Sequence, residues 1–276
     1  MGDPRVSLLT WNIWHNGPCE PQRIDAISTT ILQLGRPDVI CFQEVTQVTL
    51  EQLSQQSWWE TYHRSRDLTR KIRQDETFYF TVLLLKASTF NLVSQFLEKI
   101  FPNTIMGRCL LAVQAEAYGT SFCFACAHLE SPSGDRQTKM HLGSARVEQA
   151  SQSLKFLSSS CSGEVMIAGD MNWIEGDQPA WSLPEGWCDP WEVLMPGDPG
   201  YTYDCHRNQM IPWNGYRSRL DRVWCRLKNW APAHIELVGL SRLKNVRALD
   251  NKRVVLPSDH FGIYTVFSKT ASPVKQ

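Results

Sequence analysis

Short apolar runs alternate along this chain with stretches whose apolar positions recur every three or four residues. The run at 6–13 predicts a strand. Ile24, Ile27, Ile31 and Leu34 then repeat at helical spacing, and Gly35 and Pro37 close that helix. Strands are predicted again at 38–45, 78–86, 109–117 and 121–128, the last two as a hairpin turning at Tyr118-Gly119-Thr120. Met140, Gly143, Val147, Ala150, Leu154 and Leu157 mark a second helix. Strands at 164–169, 219–227, 235–239 and 261–267 complete the set. The looser stretches 71–77, 175–186 and 195–200 are too short and varied to be linkers, and the sequence contains no internal repeat. The expectation is one α/β domain over residues 1–276, with packed sheets inside and helices outside.

Composition narrows the classes. Of 276 residues, 42% are hydrophobic and 20% charged, which is ordinary for a globular chain. No run approaches the roughly 20 apolar residues of a membrane span. The segment Met1-Gly2-Asp3-Pro4-Arg5 has no apolar signal core, and Val6 occupies the Ser/Thr position of a myristoylation motif. A soluble intracellular protein without a targeting extension or membrane partner is expected. Nine cysteines, an odd number, sit largely in apolar runs, which favours buried thiols over a disulfide framework. Cys123 and Cys126 lie three apart in a strand and so point to opposite faces, which disfavours a zinc reading.

Net charge is zero, which argues against a general nucleic-acid binder. Locally the balance differs. Between Arg207 and Arg253 eleven Lys/Arg face Asp221, Glu236 and Asp250, and a second basic run holds Arg64, Arg66, Arg70, Lys71 and Arg73. A solvated surface explains either run as readily as a phosphate track.

Polar residues recur where the predicted strands end, which is where rigid scaffolds place function. Glu44 ends an apolar strand and reads either as a surface residue or as a hard-cation ligand. Asn12 reads as a turn former or as a site amide. Asp170 and Asn172 follow the sharp turn offered by Gly169, so both can face one pocket; an Asx turn is the plainer reading. His128 ends one strand and His260 precedes the last. Asp259 adjoins His260, and adjacent side chains diverge, so an imidazole at 260 needs a carboxylate from another strand. Asp221 is the candidate, by triad logic, unless Arg219 or Arg222 claims it.

The ordered set is more telling than its members. Trp11-Asn12, Gln43-Glu44, His128-Leu129-Glu130-Ser131, Gly169-Asp170-Met171-Asn172, Leu220-Asp221-Arg222 and Ser258-Asp259-His260 resemble the endonuclease/exonuclease/phosphatase superfamily, from about Leu8 to Phe267. That resemblance implies a four-layer α/β/β/α sandwich of two mixed sheets with helices outside, as in DNase I. It implies a Mg²⁺ phosphodiesterase, with Mn²⁺ as a substitute, in which Glu44 binds the metal with Asn12 and Asp259 in support. Asp170, aided by Asn172, would activate water; His260, held by Asp221, and His128 would grip the phosphate.

A narrower similarity, carried by Thr10-Trp11-Asn12-Ile13, Cys41-Phe42-Gln43-Glu44-Val45, Tyr79-Phe80-Thr81, His128-Leu129-Glu130-Ser131 and Pro257-Ser258-Asp259-His260, is to the 5′-tyrosyl-DNA phosphodiesterases. It implies, as substrate, DNA 5′ ends carrying a topoisomerase-derived tyrosyl or peptide adduct, and hence DNA repair in the nucleus, with the cytoplasm as the alternative; a monomer is expected. Ser131, Tyr79 and Tyr203 would then line the substrate path. Ile174 stands where animal members carry a phosphate-clamping Arg. Arg108 or the late basic segment is the candidate replacement, and Trp173 beside it is a further substrate-facing candidate. Other superfamily activities (abasic or general nuclease, deadenylase, inositol-phosphate phosphatase) and a non-catalytic DNA-end binding module remain open on residues alone.

Overall fold

A computed structural model describes residues 3–66, 78–132, 136–174, 176, 179–212, 215–244, 246 and 254–270; the side chains of 136–141 lie outside that description. The chain builds two six-stranded mixed sheets. The first contains β1 (Arg5–Asn12), β2 (Val39–Val45), β3 (Tyr62–Arg64), β4 (Phe80–Lys86), β13 (Trp230–Val238) and β14 (Gly262–Lys269), in the order β13-β14-β1-β2-β4-β3. The second contains β5 (Asn91–Leu92), β6 (Leu97–Ile100), β7 (Cys109–Ala117), β8 (Thr120–His128), β9 (Glu164–Asp170) and β12 (Asp221–Arg226), ordered β12-β9-β8-β7-β5 with β6 also on β7. A two-residue ribbon pairs β10 (Tyr203–Asp204) with β11 (Arg217–Ser218).

Strands apolar on both sides demand cover on both sides. Between the sheets, Leu8, Cys41, Leu83, Phe124, Cys126, Met166 and Val223 form the central core. On the outer face of the first sheet, α1 (Glu20–Gln33) lays down Ile24, Ile27 and Ile31 with Leu50 and Leu53 of α2 (Gln47–Ser54). On the outer face of the second, α3 (Arg136–Ser160) contributes Ala150, Leu154 and Leu157 against Cys123, Ala125, Val165 and Ile167. The four-layer α/β/β/α expectation holds. Burying one such aliphatic or aromatic side chain is worth roughly 1.5–3 kcal/mol, so these three interfaces dominate the fold's stability. Cys123 faces α3 and Cys126 the central core, as their spacing requires. All nine cysteines are free thiols. Among the described residues no helix is long and apolar enough to cross a membrane.

The departures from expectation have physical causes. α2 has only eight residues and holds its start by a capping box between Thr46 and Thr49, too short for a periodic signal. β13 begins five residues before the expected 235 and includes Pro232. It lies at the sheet edge with a register shift between Pro232 and His234, where a missing N–H is tolerated. α4 (Pro190–Leu194) was not anticipated; it is one capped turn behind Asp189.

Topology explains the site. β1 runs parallel to β2, and β8 to β9, so their C-terminal ends meet at one rim. β4, β7, β12 and β14 run antiparallel to these neighbours, so their N-terminal ends arrive at the same rim.

Candidate active site

Each sheet delivers half of the site. From the first come Asn12 at the end of β1, Glu44 near the end of β2, Tyr79 before β4, and Asp259 with His260 before β14. From the second come His128 and Asp170, which are register partners, Asp221 opposite Asp170, and Arg108 before β7. The two halves touch through Asn12, whose side-chain amide donates to Glu44 Oε1 at 3.1 Å and to Asp170 Oδ2 at 2.9 Å.

Glu44 is aimed by its backbone. It has a φ of 60°, within the register shift between Phe42 and Val45, and that bulge turns its carboxylate off the strand and over the rim. The backbone N–H and Nδ1 of His15 reach its Oε2 at 3.1 and 2.6 Å. Burial alone would raise the acid, but the His15 hydrogen bond and nearby His128 bring it down to about 2. Asp259 has the opposite balance. Burial pushes it up to about 6, and the Glu44 charge adds to this, against the pull of His260 and Arg23. Two hard-oxygen acids that repel across one corner fit a divalent cation.

A different trio, Asp170, Asp221 and His260, keeps its potential ligand atoms within 4.8 Å. His260 Nδ1 is already committed to Asp221 Oδ2 at 2.8 Å, and Asp170 faces His128 Nε2 at 3.3 Å and His260 Nε2 at 4.0 Å. This group is a carboxylate–imidazole chain whose charges answer one another, which leaves Glu44 and Asp259 as the candidate cation corner. Burial opposes charge on His260, yet Asp221 and Asp170 raise its pKa well above the usual value, which favours the imidazolium. Asp170 lies far below its ordinary value despite burial, because His128 and His260 flank it. Arg108 donates to His128 Nδ1 at 2.8 Å, and arginine has no acceptor; the proton of neutral His128 therefore sits on Nε2, toward Asp170. Burial and the Arg108 charge both lower the pKa of His128.

The other expected residues divide. Asn172 is present, at φ 49°, but its amide donates to Leu129 O at 3.0 Å while its backbone N–H holds Asp170 Oδ1 at 2.9 Å; it fixes Asp170 rather than pointing into the cleft. Tyr203 packs edge-on to His260, centroids 5.0 Å apart. Tyr79 stacks on His15 at 4.5 Å, with His128 at 6.0 Å and the Arg108 guanidinium at 5.2 Å from its ring. Ser131 lies partly buried just past Glu130 on the rim. Trp173 is a correction: its ring is buried in the outer core with Trp181 and Trp224, because Met171 and Trp173 alternate with Asn172 and face α3. The Arg competitors for Asp221 go elsewhere, both to Asp189. Of the basic runs, Arg70, Lys71, Arg73, Arg247, Lys252 and Arg253 lie outside the described residues.

Three contributors were not anticipated. His15 holds Glu44. Arg23, fully buried on α1, donates to the carbonyls of Ile13, Trp14, Pro18 and Pro257 and so fastens the loops after β1 and before β14. Asn208 donates to Ser258 O at 2.8 Å and Asp259 O at 3.2 Å from the other side. Only Arg23 left a trace in the sequence, as a charge directly beside the apolar stripe of α1.

The sequence profile described as the Endonuclease/Exonuclease/phosphatase family matches residues 9–260, which includes every strand-end motif from Asn12 to His260. The chain belongs to this family. Within the endonuclease/exonuclease/phosphatase family it is 32% identical over 266 residues to the Mus musculus protein tyrosyl-DNA phosphodiesterase 2, covering 94% of this chain and 65% of the mouse protein. The Homo sapiens protein of that name is 30% identical, with 93% and 66% covered. The chain thus spans about two thirds of the length of these relatives. Among solved structures, D. rerio TDP2 complexed with single-strand DNA product superposes with a TM-score of 0.79 at 25% identity, covering 97% of this chain and 100% of that one. The human Nocturnin catalytic domain shares the fold, with a TM-score of 0.68 at 18% identity, covering 97% and 94%.

Proposed function

We propose that this protein hydrolyses the 5′-phosphotyrosyl bond that joins DNA to a trapped topoisomerase, leaving a 5′-phosphate. The observation that carries the chemistry is the convergence of Glu44, Asn12, Asp170, His128 and the His260–Asp221 pair at one rim. The substrate class is supported by the likeness to tyrosyl-DNA phosphodiesterase 2 of several vertebrates and to a relative seen with single-strand DNA product.

The residues divide the work as follows. Imidazolium His260 presents Nε2–H to a non-bridging phosphate oxygen, and Asp221 keeps the ring charged and oriented. His128, with its proton on Nε2, offers a donor to a second oxygen. Both stabilise charge where it grows in phosphoryl transfer. Asp170 is a weak base at neutral pH, so it orients the attacking water and favours departure of its proton. Asn172 and Asn12 hold that carboxylate still. Glu44, with Asn12 and Asp259 in support, would hold Mg²⁺, or Mn²⁺ in its place, which when bound acts as a Lewis acid toward the phosphoryl and leaving oxygens. The leaving phenol has a pKa near 10 and needs little general-acid help. Arg108, already joined to His128 and Tyr79, takes the phosphate-gripping part that Ile174 cannot fill. The reading carries with it a monomeric enzyme that works in the nucleus.

The test is a panel of 5′-tyrosyl DNA, 3′-tyrosyl DNA, abasic duplex, poly(A) and phosphoinositide, each with Mg²⁺ and with EDTA. Magnesium-dependent release of tyrosine from the first substrate, well above turnover of the rest, is expected. Preference for another member, or activity that survives EDTA, would overturn the reading; DNA-end binding without turnover would leave a binding module.

A further inference from the structure

The loop after β1 is held in an unfavourable bend. Trp14 has a φ of 60°, a region bulky side chains rarely adopt, and its N–H is caught by Asn12 Oδ1 at 3.0 Å. Arg23 clamps the Ile13 and Trp14 carbonyls from behind at 2.8 and 2.9 Å. Strain that neighbours over-determine in this way marks a functional position. Its product is the placement of His15.

His15 reaches one oxygen of Glu44 twice, by its backbone N–H at 3.1 Å and by Nδ1 at 2.6 Å. A carboxylate oxygen accepts, so the short contact places the proton on Nδ1. These two donors occupy both lone-pair directions of Oε2. Among the described residues Oε1 receives only the Asn12 amide, at 3.1 Å, which leaves its second direction for a cation. The same imidazole stacks on Tyr79, centroids 4.5 Å apart and planes 28° from parallel. It also meets the exposed Phe78 edge-on at 6.1 Å.

We infer that His15 is a positioning residue for the cation-binding carboxylate: it saturates Oε2, turns Oε1 toward the cation, and ties Glu44 to the aromatic wall at Tyr79. The inference rests on the proposed function only for a divalent cation at Glu44. Metal-binding carboxylates are themselves held by hydrogen bonds from behind, and losing such a partner typically weakens metal affinity by about 10–100-fold.

Cation binding is measured directly, without substrate, by calorimetric titration of Mn²⁺ into EDTA-stripped wild type, His15→Phe and His15→Asn. Phe keeps the stack and loses the donor; Asn keeps a short donor and loses most of the stack. His15→Phe is expected to bind about 10–100-fold more weakly and His15→Asn to recover most of that loss. In turnover, His15→Phe raises the half-saturating cation concentration by the same factor, while kcat at saturating cation stays within about threefold. A merely structural role would lower kcat in both variants and show no such split. His15→Phe binding within about twofold of wild type, or His15→Asn no better than His15→Phe, would overturn the inference. Wild type that binds no divalent cation would remove the metal site and this inference with it.

Discussion

Replacing Asp259 by Asn exchanges a strained charge for a neutral amide of nearly the same shape. Burial, reinforced by Glu44, holds the Asp259 carboxyl at about 6 against an ordinary 3.8. A shift of about two units corresponds to roughly 3 kcal/mol, an upper figure because the side chain keeps some solvent contact. The sign follows from linkage. An acid whose folded pKa is raised favours the fold fully below its unfolded pKa, and that contribution is lost as pH rises through about 6. At neutral pH the whole penalty is therefore in force in wild type and gone in Asp259→Asn. In EDTA near pH 7 the variant is expected to melt higher by several degrees, at about 2–4 °C per kcal/mol for a chain of this size. Below about pH 4 the two should melt together, because both carry a neutral side chain at 259. Added Mg²⁺ or Mn²⁺ should stabilise wild type by mass action and the variant much less. Differential scanning fluorimetry across pH, with EDTA and with cation, reads all of this. A variant that melts at or below wild type in EDTA at neutral pH would show that Asp259 bears no repulsive charge, and the cation corner would lose its electrostatic basis.

Asp221→Asn removes the main partner that raises the His260 pKa, which burial alone would depress. The alkaline limb of the pH–rate profile should move to lower pH and kcat should fall by about 10²–10⁴-fold; an unmoved limb would refute the pairing. Arg108→Gln takes a charge-assisted donor from His128 Nδ1, worth about 1.5–3 kcal/mol, so kcat/KM should fall roughly tenfold to a hundredfold. With the cation gone the His128 pKa should rise, which NMR titration of the ring would show; an unchanged value would mean that burial alone sets it.

The sequence announced the long strands and both long helices because their cores lie on fixed periods: Ile24, Ile27 and Ile31 on one face of α1, and unbroken apolar runs in β2 and β9. The strand-end positions of Asn12, Glu44, His128, Asp170, Asp221 and His260 were legible for the same reason, since each run has a visible end. What stayed hidden depends on backbone turns and on partners far away in the chain. Nothing local to Trp14 or Glu44 shows that both take positive φ, yet those two bends deliver His15 to the carboxylate. Trp173 was misassigned because the turn at Asn172 restores alternation and sends its indole into the outer core. Arg23 and Asn208 work through carbonyls of Pro257, Ser258 and Asp259, more than forty positions away, a relation no periodic pattern encodes.

The Asn12 amide spends one hydrogen on Glu44 and the other on Asp170, acids that belong to different sheets. Prying the two layers apart by about 1 Å would therefore take that bridge out of hydrogen-bond range while every strand kept its own ladder. An oversized side chain at Ala168, buried between the layers, would act as such a wedge without approaching the mouth of the cleft.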